Sequence, residues 1–331
     1  MTVFKNILVT GGAGYIGSHV CHLLIDKGYN VTCIDNLITG HKRLLPKKVK
    51  FEQFDISDRD KVSKLIKKKN FDLVMHFAGL ISVEESVKRP VKYWKNNFLK
   101  GKIFLDTCYE NNIKNIIYSS TASVYGNLSK KKFSEKNNLY PTNLYASSKL
   151  ELENYIIKSS KKYNAKYIIL RYFNVAGADP RMRTGEISKV STHLIKIASE
   201  VAIGKRKKLI IFGDNYNTPD GTAVRDYIHV SDLADIHLKV SKYLMSKRKS
   251  QIFNCGYGKG VSVKNVTDEL KKILKNNIKI SFGPRRDGDN EISVSNTKKF
   301  NTYFSWKPKY NNLSYIIKTA IEWEKRLNKK N

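Results

Sequence analysis

Long apolar runs are missing from this chain. No stretch of about 18 apolar residues occurs among its 331, so no helix in it is long and apolar enough to cross a membrane. Cysteine is scarce: Cys21, Cys33, Cys108 and Cys255 are scattered, and none forms a C-x-x-C pair. Cys21 and Cys33 fall inside helix and strand patterns, so reduced core thiols and a cytoplasmic protein are expected. No His/Cys/Asp cluster has metal spacing, and no metal is expected. The chain enters a strand pattern at Asn6, which leaves no room for a signal peptide. Repeats and low-complexity segments are also lacking. Acidic residues are few, 29 against 61 Lys and Arg, for a formal net charge of +32. The basic residues lie along the whole chain, in short clusters at Lys67-Lys68-Lys69, Lys130-Lys131-Lys132 and Lys205-Arg206-Lys207-Lys208. Asn and Ile are abundant as well, a bias expected of A- and T-rich codons. A surface drifted to lysine explains this better than a specific nucleic-acid partner; an anionic substrate would also fit.

What is present begins at the N-terminus. Asn6–Val9 is a short apolar run typical of a buried parallel strand. Gly11, Gly14 and Gly17 follow in G-x-x-G-x-x-G spacing, and Ser18–Ile25 continues with helical apolar spacing. Gly28 is placed to end that helix, and Val31–Ile34 is a second strand closed by Asp35. Strand, glycine turn, helix, strand and acid in this order form a dinucleotide site. The glycines permit a tight turn and close backbone approach, and the helix N-terminus offers free N–H groups to a pyrophosphate. Asp35 is suited to the adenosine ribose hydroxyls and would repel a 2′-phosphate, which favours NAD over NADP.

Tyr145 and Lys149 lie four apart in a segment that reads as helix, so phenol and ammonium share one face. A free Tyr has pKa ~10 and is a poor base at neutral pH. Bringing it to about 7 takes roughly 4 kcal/mol. One positive charge ~5 Å away, at an effective dielectric of ~20, supplies roughly 3 kcal/mol. Strand and helix patterns alternate around these motifs, which implies a Rossmann-type, doubly wound parallel α/β sheet. Further strands are expected at Lys50–Phe54, Asp72–His76, Asn115–Tyr118 and Tyr167–Leu170, with helices near Arg59–Lys69 and from Pro90 through about Glu110. Gly11, Asp35, Asp55, Ala78, Thr121 and Phe173 then all fall at carboxyl ends of strands, where such sheets bind ligands. After Asn174 the alternation fades into Gly- and Asp-rich turns and polar-aromatic clusters. A NAD-binding domain over 1–174, with a returning segment near 226–249, and a smaller α+β substrate-binding domain over 175–331 are expected. Arg225 and Arg286 are candidates for an anion there, and equally for surface salt bridges.

The motifs TGGAGYIGSH (Thr10–His19), HFAG (His76–Gly79), SSTASVYG (Ser119–Gly126), YASSK (Tyr145–Lys149), RYFNVAGA (Arg171–Ala178), FGDNYNTPDGTAVRDYIHV (Phe212–Val230) and RRDGD (Arg285–Asp289) resemble those of the extended short-chain dehydrogenase/reductases. Within that family the chain is similar to the UDP-galactose 4-epimerases, nearly end to end. The resemblance implies reversible C4 epimerisation of UDP-glucose and UDP-galactose through a 4-keto sugar, with NAD bound throughout. It makes Tyr145 the base, Lys149 its electrostatic partner and ribose ligand, and Thr121 a hydrogen-bond partner of the sugar 4-oxygen. It carries NAD contacts onto Gly11, Gly14, Tyr15, Ile16, Gly17, Asp35, Asn36, Asp55, Ile56, Phe77, Ala78, Gly79, Asn96 and Phe173. UDP-hexose contacts fall on Asn174, His193, Leu194, Ile210, Phe212, Arg225, Tyr227, Arg286 and Asp289. A homodimer through the Pro90–Asn111 and Tyr145–Tyr163 helices is implied too.

Four positions depart from the family pattern. Thr121 stands where many members have Ser, Ala146 replaces a Gly, and Ile81 replaces a cofactor-touching Lys. Ser293 aligns with a bulky Tyr of strictly UDP-galactose/UDP-glucose enzymes, and a small residue there goes with N-acetylated UDP-sugars. The nearest enzymatic rivals, 4,6-dehydratases and UDP-glucuronate decarboxylases, add a carboxylate just after the catalytic Thr or Ser. This chain has Ala122 and Ser123 there. A non-catalytic NAD-binding regulator with RNA affinity would tolerate loss of Tyr145, Lys149 or Thr121, yet all three are present.

Overall fold

The computed structural model describes residues 4–127, 132–188, 191–247, 249–275, 278–286 and 289–329. Lys130 and Lys131 of one basic cluster, and Asp287 and Gly288 of the arginine motif, lie outside the described residues. The chain divides into two compact units. The first comprises Met1–Val124, Pro141–Arg171 and Ala234–Phe253; the second comprises Tyr125–Tyr140, Tyr172–Leu233 and Asn254–Asn331. The excursion Tyr125–Tyr140 interrupts what the sequence pattern treats as one continuous N-terminal domain. The segment returning to the first unit starts at Ala234 rather than near 226.

The first unit is built on a seven-stranded parallel sheet. Its strands are β1 (Asn6–Thr10), β2 (Asn30–Ile34), β3 (Lys50–Glu52), β4 (Leu73–His76), β5 (Asn115–Thr121), β6 (Lys166–Tyr172) and β7 (Gln251–Cys255), in the order β7-β6-β5-β4-β1-β2-β3. The order reverses between β1 and β4, the switch point at which doubly wound sheets open a crevice. Thr10 is in register with Ile34 on one side and His76 on the other. Gly11, Asp35 and Phe77 therefore leave the sheet from adjacent strand ends. Apolar strand residues such as Leu8, Ile34, Val74, Ile116 and Ile169 pack with Val62, Leu65 and Ile66 of helix α2 (Arg59–Lys69), which follows α1 (Tyr15–Asp26) in the chain. The same core takes Phe104 and Leu105 of α3 (Lys100–Glu110), and Leu152 and Ile156 of α4 (Leu144–Lys162).

The single helix expected from Pro90 is not uniform. One α-turn, Pro90–Tyr93, runs into a π-helical stretch, Trp94–Leu99, before α3 begins. The Asn97 amide is buried there and bonds the Leu80 backbone in both directions: Oδ1 accepts from Leu80 N at 2.8 Å and Nδ2 donates to Leu80 O at 3.0 Å. Apolar periodicity does not register a π insertion, because the pattern on either side stays helical.

The second unit is a smaller α+β assembly. Asn174–Ala176 pairs in parallel with Tyr227–His229, and Leu209–Phe212 with Ile280–Gly283. Val224–Arg225 lies between Val261–Ser262 and Ile292–Ser293. Ile195 and Ala198 of α5 (Leu194–Ala202) pack with Val266, Leu270, Ile316, Ile317 and Ile321 into a separate core.

Candidate active site

In the first unit the glycine turn is pressed into its surroundings. Gly11 has φ +68°, and a Cβ there would lie 2.6 Å from the Ala78 nitrogen. A Cβ on Gly17 would fall 2.3 Å from the Gly11 carbonyl oxygen. Gly14 occupies the N-cap of α1 and has no side chain to bond the first-turn N–H groups. This is a cradle that backbone alone can line, suited to a pyrophosphate. Asp35 lies at the end of β2, 8% exposed, accepting from Ala13 N at 3.0 Å and Leu37 N at 2.9 Å. Burial pushes its carboxyl upward, with the two N–H donors and His41 opposing. It thus braces the turn. Asn36 donates to Asp55 at 3.0 Å, and Lys100 reaches the same carboxylate at 2.5 Å. Burial opposes ionisation of Asp55, but Lys100, Ser57 and Asn36 outweigh it and hold the carboxyl at about 2. Ile56 is buried, the Phe77 ring lies 5.0 Å from that of His237, and Asn96 donates to the clamping Asn97 at 3.1 Å. These residues suit NAD.

The catalytic candidates come together on β5 and α4. Asn143 caps α4, its side chain accepting from Ala146 N at 2.9 Å, so the helix starts one residue before Tyr145. Tyr145 is half-buried, and the Thr121 hydroxyl, delivered by the last residue of β5, acts on its phenol. Thr121 Oγ1 also accepts from Ser123 N at 3.1 Å. Burial raises the Tyr145 phenol above its ordinary value and the nearby Thr121 hydroxyl opposes the rise. Lys149 is 5% exposed, with Nζ 4.6 Å from the centre of the Tyr118 ring. Burial pulls its ammonium down to about 7, against the pull of Glu153. A Cβ on Gly79 would sit 3.3 Å from Asn97 Oδ1 and in ordinary contact, 4.0 Å, with that Nζ.

Three neighbours are given no role of their own by the motif reading. His76, 1% exposed, pairs Nδ1 with Thr10 Oγ1 at 2.6 Å and stacks between Phe104 and Tyr118. Burial, then Lys149, hold its imidazole down at about 3, so it stays neutral. Asn97 joins the Leu80 loop to Ser148 of α4 at 3.3 Å. Glu153, one turn beyond Lys149, is buried against Arg171 and Ser120. His76 opens the HFAG motif and Glu153 stands at i+4 from Lys149, the local signals they left; Asn97 left none.

In the second unit, Arg225 bonds Asn290 O at 2.7 Å and Val224 O at 3.0 Å, with Asp289 at 3.4 Å. Its guanidinium is thus oriented by backbone carbonyls and partly offset by a carboxylate, between the two alternatives its type allowed. Arg286 lies over the Phe212 ring at 4.1 Å. Ile210 is 38% exposed, whereas Tyr227 is buried, which lifts its phenol to about 12. Asn174 N donates to Asp226 O at 2.9 Å, and Phe173 N to Cys255 O at 3.1 Å. His193 forms the N-cap of α5, preceding Leu194, with Nδ1 3.1 Å from Glu186 Oε1. Burial lowers the imidazole, but Glu186 outweighs it and the net shift is upward. Ser293 is in register with Arg225, and its carbonyl accepts from Asp226 N at 3.0 Å. Asp226, fully buried, also accepts from Tyr257 N, Gly258 N and Ser295 N. It fixes the strand that carries Arg225 and Tyr227, and motif spacing does not reveal it.

Comparison with known proteins gives a consistent picture. The model of the NAD dependent epimerase/dehydratase family matches residues 7–256. A UDP-glucose 4-epimerase of Azospirillum brasilense is 41% identical over 321 residues, 97% of this chain and 92% of that protein. The fold is similar to the UDP-glucose-4-epimerase of Stenotrophomonas maltophila solved with bound NAD and formylated UDP-arabinopyranose, at TM-score 0.95 and 31% identity over 99% and 100% of the two chains. It is also similar to the UDP-Glc/GlcNAc 4-epimerase of Campylobacter jejuni, at TM-score 0.85 and 40% identity over 97% and 99%.

Proposed function

This chain belongs to the NAD-dependent epimerase/dehydratase family, and from that membership we propose that it reversibly inverts C4 of UDP-glucose and UDP-galactose through a 4-keto sugar, with NAD held through the cycle. One constellation carries the proposal: Tyr145 and Lys149 one turn apart on the same helix, Thr121 at the end of β5 with its hydroxyl acting on the Tyr145 phenol, and no carboxylate at Ala122 or Ser123. When bound on Gly11, Gly14, Gly17 and Asp35, NAD supplies the hydride acceptor and, oxidised, a positive charge. Tyr15, Ile16, Asn36, Asp55, Ile56, Phe77, Ala78 and Asn96 would complete its lining in the first unit. Tyr145 takes the proton of the sugar 4-hydroxyl. Burial works against its phenolate, so positive charge must make the base, and Lys149 is the ammonium closest in the helix. Thr121 hydrogen-bonds the 4-oxygen and relays the proton. An elimination of water would need an acid–base carboxylate beside Thr121, and the hydroxyl and methyl found there supply none.

The nucleotide is held by the second unit. Arg225 and Arg286 meet the diphosphate, with His193 and Asn174 as polar partners. Phe212, Ile210, Leu194 and Tyr227 contribute flat and apolar surface, and Asp289 orients Arg225. Binding energy spent on the nucleotide leaves the hexose free to present either face. Ser293 is small and tied to Arg225 by strand register, which supports a second substrate pair, UDP-GlcNAc and UDP-GalNAc. We place the enzyme in the cytoplasm as a homodimer through the Pro90–Asn111 and Tyr145–Tyr163 helices; four free, buried cysteines suit a reducing compartment.

Incubation with UDP-galactose, UDP-GalNAc and UDP-glucuronate, with products identified by NMR, tests the assignment. UDP-galactose is expected to equilibrate with UDP-glucose, and UDP-GalNAc with UDP-GlcNAc. Recovery of UDP-galactose unchanged by NAD-loaded enzyme overturns the C4 assignment. An inert UDP-GalNAc at high enzyme removes the role given to Ser293.

A further inference from the structure

Beneath Lys149 lies an ion pair that the chemistry above does not use. Glu153 is 1% exposed and Arg171 3%. Arg171 grips both carboxylate oxygens: Nε at 3.1 and 3.2 Å, and Nη2 to Oε2 at 2.6 Å. Ser120, the residue before Thr121, donates its hydroxyl to Oε1. One carboxylate thus ties together α4, the end of β5 beside Thr121, and β6. Burying an ion pair in this way is seldom the most stable choice, because desolvating two charges rivals their attraction; apolar residues of similar volume often serve as well. Its place in the fold calls for another reason, and that reason is on the same helix face. Glu153 follows Lys149 by four residues, so the two side chains lie one turn apart.

We infer that Glu153 is a positioning residue for the reaction, held rigid by Arg171 and Ser120 so that its negative charge keeps the buried Lys149 protonated beside Tyr145. The inference rests on the epimerase assignment above. The other groups around Lys149 do not supply that charge. Tyr118 of β5 presents its ring face, His76 of β4 is neutral, and Gly79 has no side chain. Tyr145 on the same helix is a phenol until it acts, Thr121 is a hydroxyl, and Arg171 of β6 is itself positive. Burial alone depresses the Lys149 ammonium, and Glu153 is the group that opposes it. With Glu153 removed, the ammonium is lost at lower pH and the base loses its partner.

Two variants test this. Glu153→Gln removes the charge but strands Arg171. Glu153→Leu combined with Arg171→Leu removes both charges and leaves neither unpaired, so it reads the proposal where the first fails to fold. Each is purified with its NAD, checked by thermal denaturation, and assayed for kcat and KM with UDP-galactose from pH 5.5 to 9.5. In Glu153→Gln the alkaline limb of kcat is expected to move about one pH unit toward acid, so activity above it falls about tenfold; in the double variant, where the opposing Arg171 charge goes too, it moves in the same direction by less. Activity at pH 6 and the KM should stay within about twofold of the parent. A folded variant with the parent's alkaline limb overturns the inference, since a merely structural brace would not move a pH profile. The parent enzyme's turnover of UDP-galactose, and its loss in Lys149→Met, test the underlying assignment separately.

Discussion

Replacing Tyr145 with Phe deletes one oxygen and, with it, the phenol on which the Thr121 hydroxyl acts. A positioned base contributes roughly 10²–10⁴-fold. Tyr145→Phe is therefore expected to lose at least about a hundredfold in kcat while retaining NAD, read from cofactor released on denaturation. Full activity in that variant would refute the assigned base. His76 carries a different prediction, for stability. Its folded imidazole titrates at about 3, against an ordinary value near 6.5 in the unfolded chain. Between those values the unfolded chain binds a proton that the folded one refuses, so stability falls as pH drops through the window. At pH 4.5 this amounts to roughly 3 kcal/mol. His76→Phe keeps a flat ring between Phe104 and Tyr118 and removes the titration. Denaturant unfolding at pH 7.5 and 4.5 should show an acid-induced loss about 3 kcal/mol smaller than in the parent. Equal losses in both proteins would mean that His76 is not held neutral.

At the scale of elements, the glycine turn and the π-helical stretch act as rigid fittings. A methyl on Gly17 meets the Gly11 carbonyl, which is backbone and has no rotamer with which to yield. Gly17→Ala should cost about 1–3 kcal/mol and strip NAD from the purified protein, both read by thermal denaturation with and without added NAD. A variant that keeps its cofactor would show that the turn can re-form around a side chain. These fittings were not equally visible in the sequence. The strand ends carrying Gly11, Asp35, Ala78 and Thr121 could be read because a parallel strand is a continuous apolar run that stops where the chain leaves the sheet. Ser119–Thr121 extend β5 beyond that run, since the backbone makes ladder bonds whatever the polarity of its side chains. The π winding could not be read, because it adds a residue without breaking the apolar pattern. Nor could the bonds of Asp226 to Tyr257, Gly258 and Ser295, or of Glu153 to Arg171 and Ser120. Such contacts join residues far apart in the chain, and no local period records them.

At the scale of the whole molecule, the formal charge of +32 bears on association and solubility rather than on fold. Lys61, Lys88, Lys264 and Lys325 each pair with a carboxylate three or four residues away on their own helices. Exposed pairs of this kind contribute less than about 1 kcal/mol each and are screened by salt. A chain so charged still attracts any polyanion at low ionic strength, by releasing condensed counterions. It is therefore expected to retain RNA on purification in dilute buffer, with no preference between unrelated single strands. That binding should fall steeply as salt is raised, by about a thousandfold or more between 50 and 200 mM if six or more phosphates are engaged. Titration of two unrelated fluorescent oligonucleotides across that range measures both slope and preference. Turnover of UDP-galactose at 200 mM salt should be the same with and without nuclease treatment. A sequence preference that survives at 200 mM, or a catalytic rate that depends on bound RNA, would make the charge a recognition device rather than a property of the surface.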